Sequence, residues 1–106
     1  MKVYISGPIT KAKGEQIMNF YRTQREIESR NHIAVNPHWI ALWSLSWDTY
    51  MAIAQIIINS GDIDAMLMLK GWRASRGACI EKVLADARGI PVYYQDPKEE
   101  EARASK

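Results

Sequence analysis

Ala65-Met66-Leu67-Met68-Leu69 is an unbroken run of five apolar residues between Asp64 and Lys70-Gly71. It has the length of a strand. A strand without polar alternation is covered on both faces, so helices must lie above and below its sheet. The rest of the chain has to supply them. Val3 to Ser6 is a similar run ended by Gly7-Pro8, Ile33-Ala34-Val35 is stopped by Asn36-Pro37, and Ile90 to Tyr94 follows Gly89.

Between these runs the pattern turns helical. From about Gly14 to Arg30, Ile17, Phe20, Gln24 and Ile27 fall near 3.6-residue spacing, with Arg22, Arg25, Glu26 and Glu28 turned outward. Ser46 is a cap for a second helix with Asp48 in its first turn and Trp47, Met51, Ala54, Ile57 and Ile58 as its buried stripe. A third helix runs from Arg76 to Arg88, with Ile80, Val83, Leu84 and Ala87 as the face expected against the sheet. The segment from His38 to Trp47, with Trp39, Trp43 and Trp47, shows no clear period.

Strands and helices alternate. The expected fold is therefore α/β: a flavodoxin-like, doubly wound parallel sheet of four or five strands in three α/β/α layers, ordered 2-1-3-4. A chain of 106 residues holds one core. We divide it into a domain over residues 1–95 and a charged, flexible tail over residues 96–106.

Composition excludes several classes. The net charge of +2 and the lack of a long basic run argue against a nucleic-acid polymer as partner, leaving a small anionic ligand. The single cysteine, Cys79, allows no internal disulfide and no cysteine-based metal site, and suits a reducing cytoplasm. His32 and His38 have no second ligand cluster, so neither metal nor cofactor is expected. The N-terminus reads as a strand rather than a signal peptide, and no apolar window approaches a membrane span.

Sheets of this kind bind ligands beyond the carboxyl ends of their strands. Three loops qualify: Gly7 to Lys13, Asn36 to Trp39, and Lys70 to Ser75. Glu81 lies on the helix that starts at the third. It sits about 100° round from Ile80, beside Gly77, Ala78 and Ala85, which leave room for a ligand. The plainer alternative is a solvated glutamate. Ser75 is the natural cap of that helix, whose N-terminus also favours anions, and Gly77 permits close approach to the backbone. Gly7-Pro8 is a turn where a ligand can approach, with Tyr4, Lys11 and Lys13 as nearby contacts, but it is neither a dinucleotide nor a triphosphate loop. Trp72 stacks on a base or packs as core. Asp62 and Asp64 lie at the amino end of their strand and read as structural.

Tyr4-Ile-Ser-Gly-Pro-Ile-Thr10, Asn36-Pro37 and the segment from Asp64 to Val92 resemble the nucleoside 2-deoxyribosyltransferase-like superfamily. Within it they are most similar to the small phage and bacterial group DUF4406, with its Gly-Pro turn and its Gly-Trp-x-x-Ser-x-Gly-Ala-x-x-Glu segment, here Gly71 to Glu81. The superfamily also contains 2'-deoxynucleoside 5'-monophosphate N-glycosidases. The resemblance implies cleavage or transfer at the N-glycosidic bond of a 2'-deoxynucleoside or its 5'-monophosphate. Glu81 would be the nucleophile, forming a covalent deoxyribosyl-glutamate. Ser75 and Gly77 would hold the sugar or its phosphate. Tyr4 and Gly7, with Pro8 in the turn, would line the sugar side, and Trp72 or Trp39 would face the base.

The resemblance also implies a homodimer or larger homo-oligomer, for which the aromatics between Trp39 and Trp47 are the surface. One position departs from it. Active relatives carry an aspartate on the helix before the third strand. Here Ala52 to Ile58 holds no carboxylate, and Gln55 is the nearest polar residue. A glutamine hydrogen-bonds a sugar but serves as neither acid nor base. A non-catalytic nucleotide-binding module and a purely structural, partner-binding protein are therefore the other readings.

Overall fold

The four apolar runs form four parallel strands: β1 (Lys2–Ser6), β2 (Ile33–Val35), β3 (Ala65–Met68) and β4 (Val92–Tyr94), in the order β2-β1-β3-β4. A computed structural model describes residues 1–9 and 14–104 of the chain. Its helices are α1 (Gly14–Ser29), α2 (His38–Ala41), α3 (Trp47–Asn59), α4 (Arg76–Ala87) and α5 (Pro97–Ala104), with a 3-10 turn at Trp72–Ala74 before α4. This is the doubly wound, flavodoxin-like arrangement. Lys11 and Lys13 lie outside the described residues. No helix among the described residues is long and apolar enough to cross a membrane.

Strand register sorts the side chains into two layers. Tyr4 pairs with Val35 and Met66, Ser6 with Met68, and Met66 with Val92. Partners in a parallel pair share a face. Tyr4, Met66 and Met68 therefore pack with Ile58 of α3, Ala78 and Ala85 of α4, and Trp72. Val3, Ile5 and Ala65 face the other way, onto Phe20 and Ile27 of α1. Both clusters are nearly dry, which is why the strands carry so few polar residues.

Local signals act where the chain changes direction. The Ser46 hydroxyl oxygen accepts from the Thr49 amide at 3.1 Å and starts α3. Ser75 accepts from the Ala78 amide at 3.2 Å and starts α4. Each cap is worth about 1 kcal/mol. Asp64 accepts from the Lys2 amide at 2.8 Å and ties the amino ends of β1 and β3 together, as its position predicts. Gly71 turns the chain out of β3 with φ +87°, a region that side-chain-bearing residues rarely adopt.

Three elements differ from the sequence reading. The unpatterned segment after β2 forms the short helix α2, where Asn36 accepts from the His38 amide at 3.0 Å. The charged tail supplies α5, whose Glu99 carboxylate accepts from the Gly71 amide at 2.9 Å. Arg73 also donates to the Glu99 carbonyl, so the start of α5 is fastened to the loop after β3.

The third difference concerns α4, and it matters most. The face expected to be buried was Ile80, Val83, Leu84 and Ala87. The residues buried are Ala78, Glu81, Lys82 and Ala85, while Val83 is 65% exposed. The helix is rotated because Ala78 and Ala85 let it close on the sheet, while the Glu81 carboxylate finds two hydroxyl donors on β1. The Lys82 stem is buried and its ammonium pairs with Asp86.

The rotation has a measurable consequence. Ala85→Leu overpacks the α4–sheet contact and should cost about 1–3 kcal/mol. Ala87→Leu, on the exposed side, should stay within about 0.5 kcal/mol. Urea unfolding of the two variants checks this, and the reverse order would restore the face read from the sequence.

Candidate active site around Glu81

Parallel register places Tyr4 and Ser6, two residues apart on β1, on the same face of the sheet. Ser6 is the last residue of β1, so this face reaches the carboxyl edge at that point. Glu81, one turn after Gly77 on α4, points down onto the pair. The Tyr4 hydroxyl donates to one carboxylate oxygen at 2.5 Å, and the Ser6 hydroxyl donates to the other at 2.6 Å. Glu81 is only 2% exposed.

The energetics of this group follow from its surroundings. Burial penalises the charged form by several kcal/mol. Hydrogen bonds to a charged group return about 1.5–3 kcal/mol each. Burial wins: it pushes the Glu81 carboxyl from 4.5 up to about 7, while the bonds from Ser6 and Tyr4 pull it back down. That rise corresponds to about 3 kcal/mol against the carboxylate. Near neutrality the group is therefore divided between carboxylate and acid. Tyr4 is pushed well above the ordinary phenol range by burial and by the Glu81 charge. Tyr50 of α3 is raised by the same two causes. Both phenols stay protonated and act as neutral donors.

The remaining residues singled out in the sequence fall into three groups. Tyr4 and Glu81 are in direct contact. Ser75, Gly77, Gly7 and Pro8 adjoin them but have structural roles of their own. The Ser75 hydroxyl caps α4. A Cβ on Gly77 would lie 3.2 Å from the Met51 sulfur and 3.8 Å from the Trp47 indole nitrogen, so this glycine lets α4 approach α3. A Cβ on Gly7 would lie 3.0 Å from that of Leu69, which ties the exits of β1 and β3 closely together. Pro8 stands beside Gly71, whose Cβ would come 3.9 Å from the proline ring. The loops after β1 and β3 thus meet next to Glu81.

The third group stands apart. Trp72 is buried in the core, its ring centre 6.0 Å from that of Tyr94. Its indole Nε1 is buried without a hydrogen-bond partner among the described residues. Trp39 is 45% exposed on α2, and Gln55 is exposed on α3. Trp47, which was read as helix stripe, is half-buried and carries the Arg76 guanidinium 4.6 Å over its ring. Cys79 is half-buried, its thiol 3.6 Å from the Arg73 carbonyl. Among the described residues no group of three or more His, Cys, Asp or Glu could hold a metal ion.

Two members of the site were missed in the sequence. Ser6 had a signal: it is a serine in an otherwise apolar stretch of β1, two residues from Tyr4 and so on the same face. Tyr50 had none, because an aromatic residue near the start of an amphipathic helix reads as packing.

Comparison with known proteins places the chain in a family. A family model described as a domain of unknown function (DUF4406) matches residues 1–94. The chain belongs to that family. No curated protein and no solved structure matches it.

The raised Glu81 pKa fixes the sign of a pH effect. The folded state holds a proton up to about pH 7 that the unfolded state releases near 4.5. Stability is therefore full below 4.5 and declines as pH rises towards 7. Between pH 5 and 8 the wild type should lose about 2–3 kcal/mol relative to Glu81→Gln, which cannot titrate. Parallel denaturant titrations measure it; a constant difference across this range would remove the raised carboxyl.

Proposed function

We propose that this chain cleaves or transfers at the N-glycosidic bond of a 2'-deoxynucleoside or its 5'-monophosphate, with Glu81 as nucleophile. The observation that carries the reading is the carboxylate itself: buried, held by two hydroxyls, and set at the carboxyl end of β1. The resemblance of Tyr4–Thr10 and Gly71–Glu81 to the nucleoside 2-deoxyribosyltransferase-like superfamily supplies the substrate class.

The chemistry is suited to such a group. An ionised carboxylate oxygen attacks C1' of the deoxyribose, and the base leaves with the bonding electrons and takes up a proton. The resulting ester is resolved by water or by a second base. The elevated pKa makes the carboxylate a better nucleophile than an ordinary glutamate, at the cost of being only partly ionised near neutrality. Tyr4 and Ser6 hold the two oxygens apart and oriented, and their protons are available to the ester oxygen as charge leaves it. In this reading Ser75 and Gly77, at the N-terminus of α4, hold the sugar or its phosphate. The ligand is a small molecule and not a nucleic-acid polymer. A homodimer or larger assembly belongs to the same reading, supported by the exposed Trp39, Leu42 and Trp43.

A second reading has its own support. Glu81 is covered on all sides, and α3 offers no carboxylate from Ala52 to Ile58, where Gln55 faces outward. A module that binds a nucleotide and performs no chemistry fits those two facts.

Incubation with each deoxynucleoside and each 5'-monophosphate separates the readings. The catalytic reading predicts free base, with release falling by about a thousandfold or more in Glu81→Gln. A ligand-induced rise in melting temperature without base release would establish the binding module instead.

A further inference from the structure

Glu81 presents its two carboxylate oxygens to two different hydroxyls. Oε2 accepts from Tyr4 at 2.5 Å, and Oε1 accepts from Ser6 at 2.6 Å. The two donors stand in different places. Ser6 is two residues further along β1 than Tyr4, roughly 6–7 Å nearer the carboxyl end of the strand. It is the last residue of β1, and its carbonyl accepts from the Leu69 amide at 2.8 Å, where β3 also leaves the sheet. Tyr4 instead packs in the core layer with Ile58, Met66, Met68 and Trp72. The oxygen held by Tyr4 is therefore backed by core. The oxygen held by Ser6 is the one turned towards the exit of the strand, where ligands reach a sheet of this kind.

We propose that Oε1, the oxygen held by Ser6, is the one that attacks C1', and that the Ser6 hydroxyl governs how fast the resulting ester is resolved. This deepens the functional reading above and rests on it. In the first step the Oε1–C1' bond forms and the C1'–N bond breaks. Its electron pair leaves with the base, which takes a proton from solvent. Oε1 is now the alkyl oxygen of an ester, a poor acceptor, and Ser6 loses its bond. Oε2 is now the carbonyl oxygen and still accepts from Tyr4.

In the second step water attacks C1' and gives up a proton to solvent. The C1'–Oε1 bond breaks, its electron pair returns to Oε1, and Ser6 bonds that oxygen again. The Ser6 bond thus belongs to the carboxylate and not to the ester. An interaction made in only one of two states shifts the balance between them, so this one opposes attack and favours release. The Tyr4 bond persists in both states and shifts the balance less.

Two measurements on the whole protein test this division. In protein labelled with ¹³C at the glutamate carboxyl, the Glu81 midpoint should rise by about 1 pH unit in Ser6→Ala, because the lost bond favours the charged form. An unmoved midpoint overturns the proposal. The second measurement follows decay of the sugar–enzyme adduct by acid quench, with deoxynucleoside 5'-monophosphates as substrates, at about pH 9.5, where Glu81 is ionised in each variant. Tyr4 and Tyr50, both raised above the ordinary phenol range by burial, stay protonated there. Decay should slow about tenfold in Ser6→Ala and clearly less in Tyr4→Phe. The reverse order assigns the attack to Oε2, and an equal response gives the two hydroxyls one shared structural role; either overturns the proposal. Should Ser6→Ala fail to fold, Ser6→Cys fills the space with a weak donor and is expected to slow decay in the same direction. Base release with the wrong order of decay refutes this assignment alone. Absence of base release from every deoxynucleotide counts against the function proposed above and takes the assignment with it.

Discussion

The contact between the Glu81 carboxylate and the hydroxyls of Tyr4 and Ser6 organises the rest of this structure. A carboxylate brought into an apolar layer is costly, and few surroundings tolerate it. Here the surroundings are built for it from two elements distant in sequence. β1 contributes a tyrosine and a serine on one face of an otherwise apolar strand. α4 contributes the glutamate, with alanines at 78 and 85 that bring the helix close enough for both bonds to form. The bonds do not fully offset burial, and the carboxyl titrates near neutrality as a result.

That one contact has consequences at each level of the fold. It sets the rotation of α4 and leaves Val83 facing outward. The close packing of α4 on α3 depends on Gly77, which stands against Met51 and Trp47. It places the polar group at the carboxyl end of β1, where the loops after β1 and β3 meet and where doubly wound sheets receive their ligands. A group that titrates near pH 7 in such a place is the kind of group from which catalytic sites are made, although structural networks perturb carboxyls as well.

Much of the fold was legible in the chain because burial on both faces writes itself as uninterrupted apolar runs. Val3–Ser6, Ile33–Val35 and Ala65–Leu69 needed no other signal, and Ser46 and Ser75 announced the helices they cap. The rotation of α4 was hidden for a physical reason. Periodicity counts glutamate and lysine as outward and valine and leucine as inward, so a helix that buries Glu81 and Lys82 presents the wrong stripe. Glu81 was still found, through its small neighbours and the position of its helix at the third loop. Ser6 was passed over because a lone serine in a strand looks like a weak interruption. Tyr50 was passed over because the Glu81 charge that acts on it comes from 31 positions away and no local pattern links them. Trp72 was read equally as a stacking residue or as core, and its side chain lies buried.

The account turns on whether Glu81 forms a bond to a sugar. Protein quenched in acid during incubation with deoxynucleoside 5'-monophosphates, then digested and mapped by mass spectrometry, tests it directly. The account predicts a deoxyribosyl phosphate adduct, or the unphosphorylated sugar where a nucleoside is used, on the peptide containing Glu81 and at that residue. An adduct at another residue, or base release with Glu81 unmodified and the Glu81→Gln variant fully active, would contradict it.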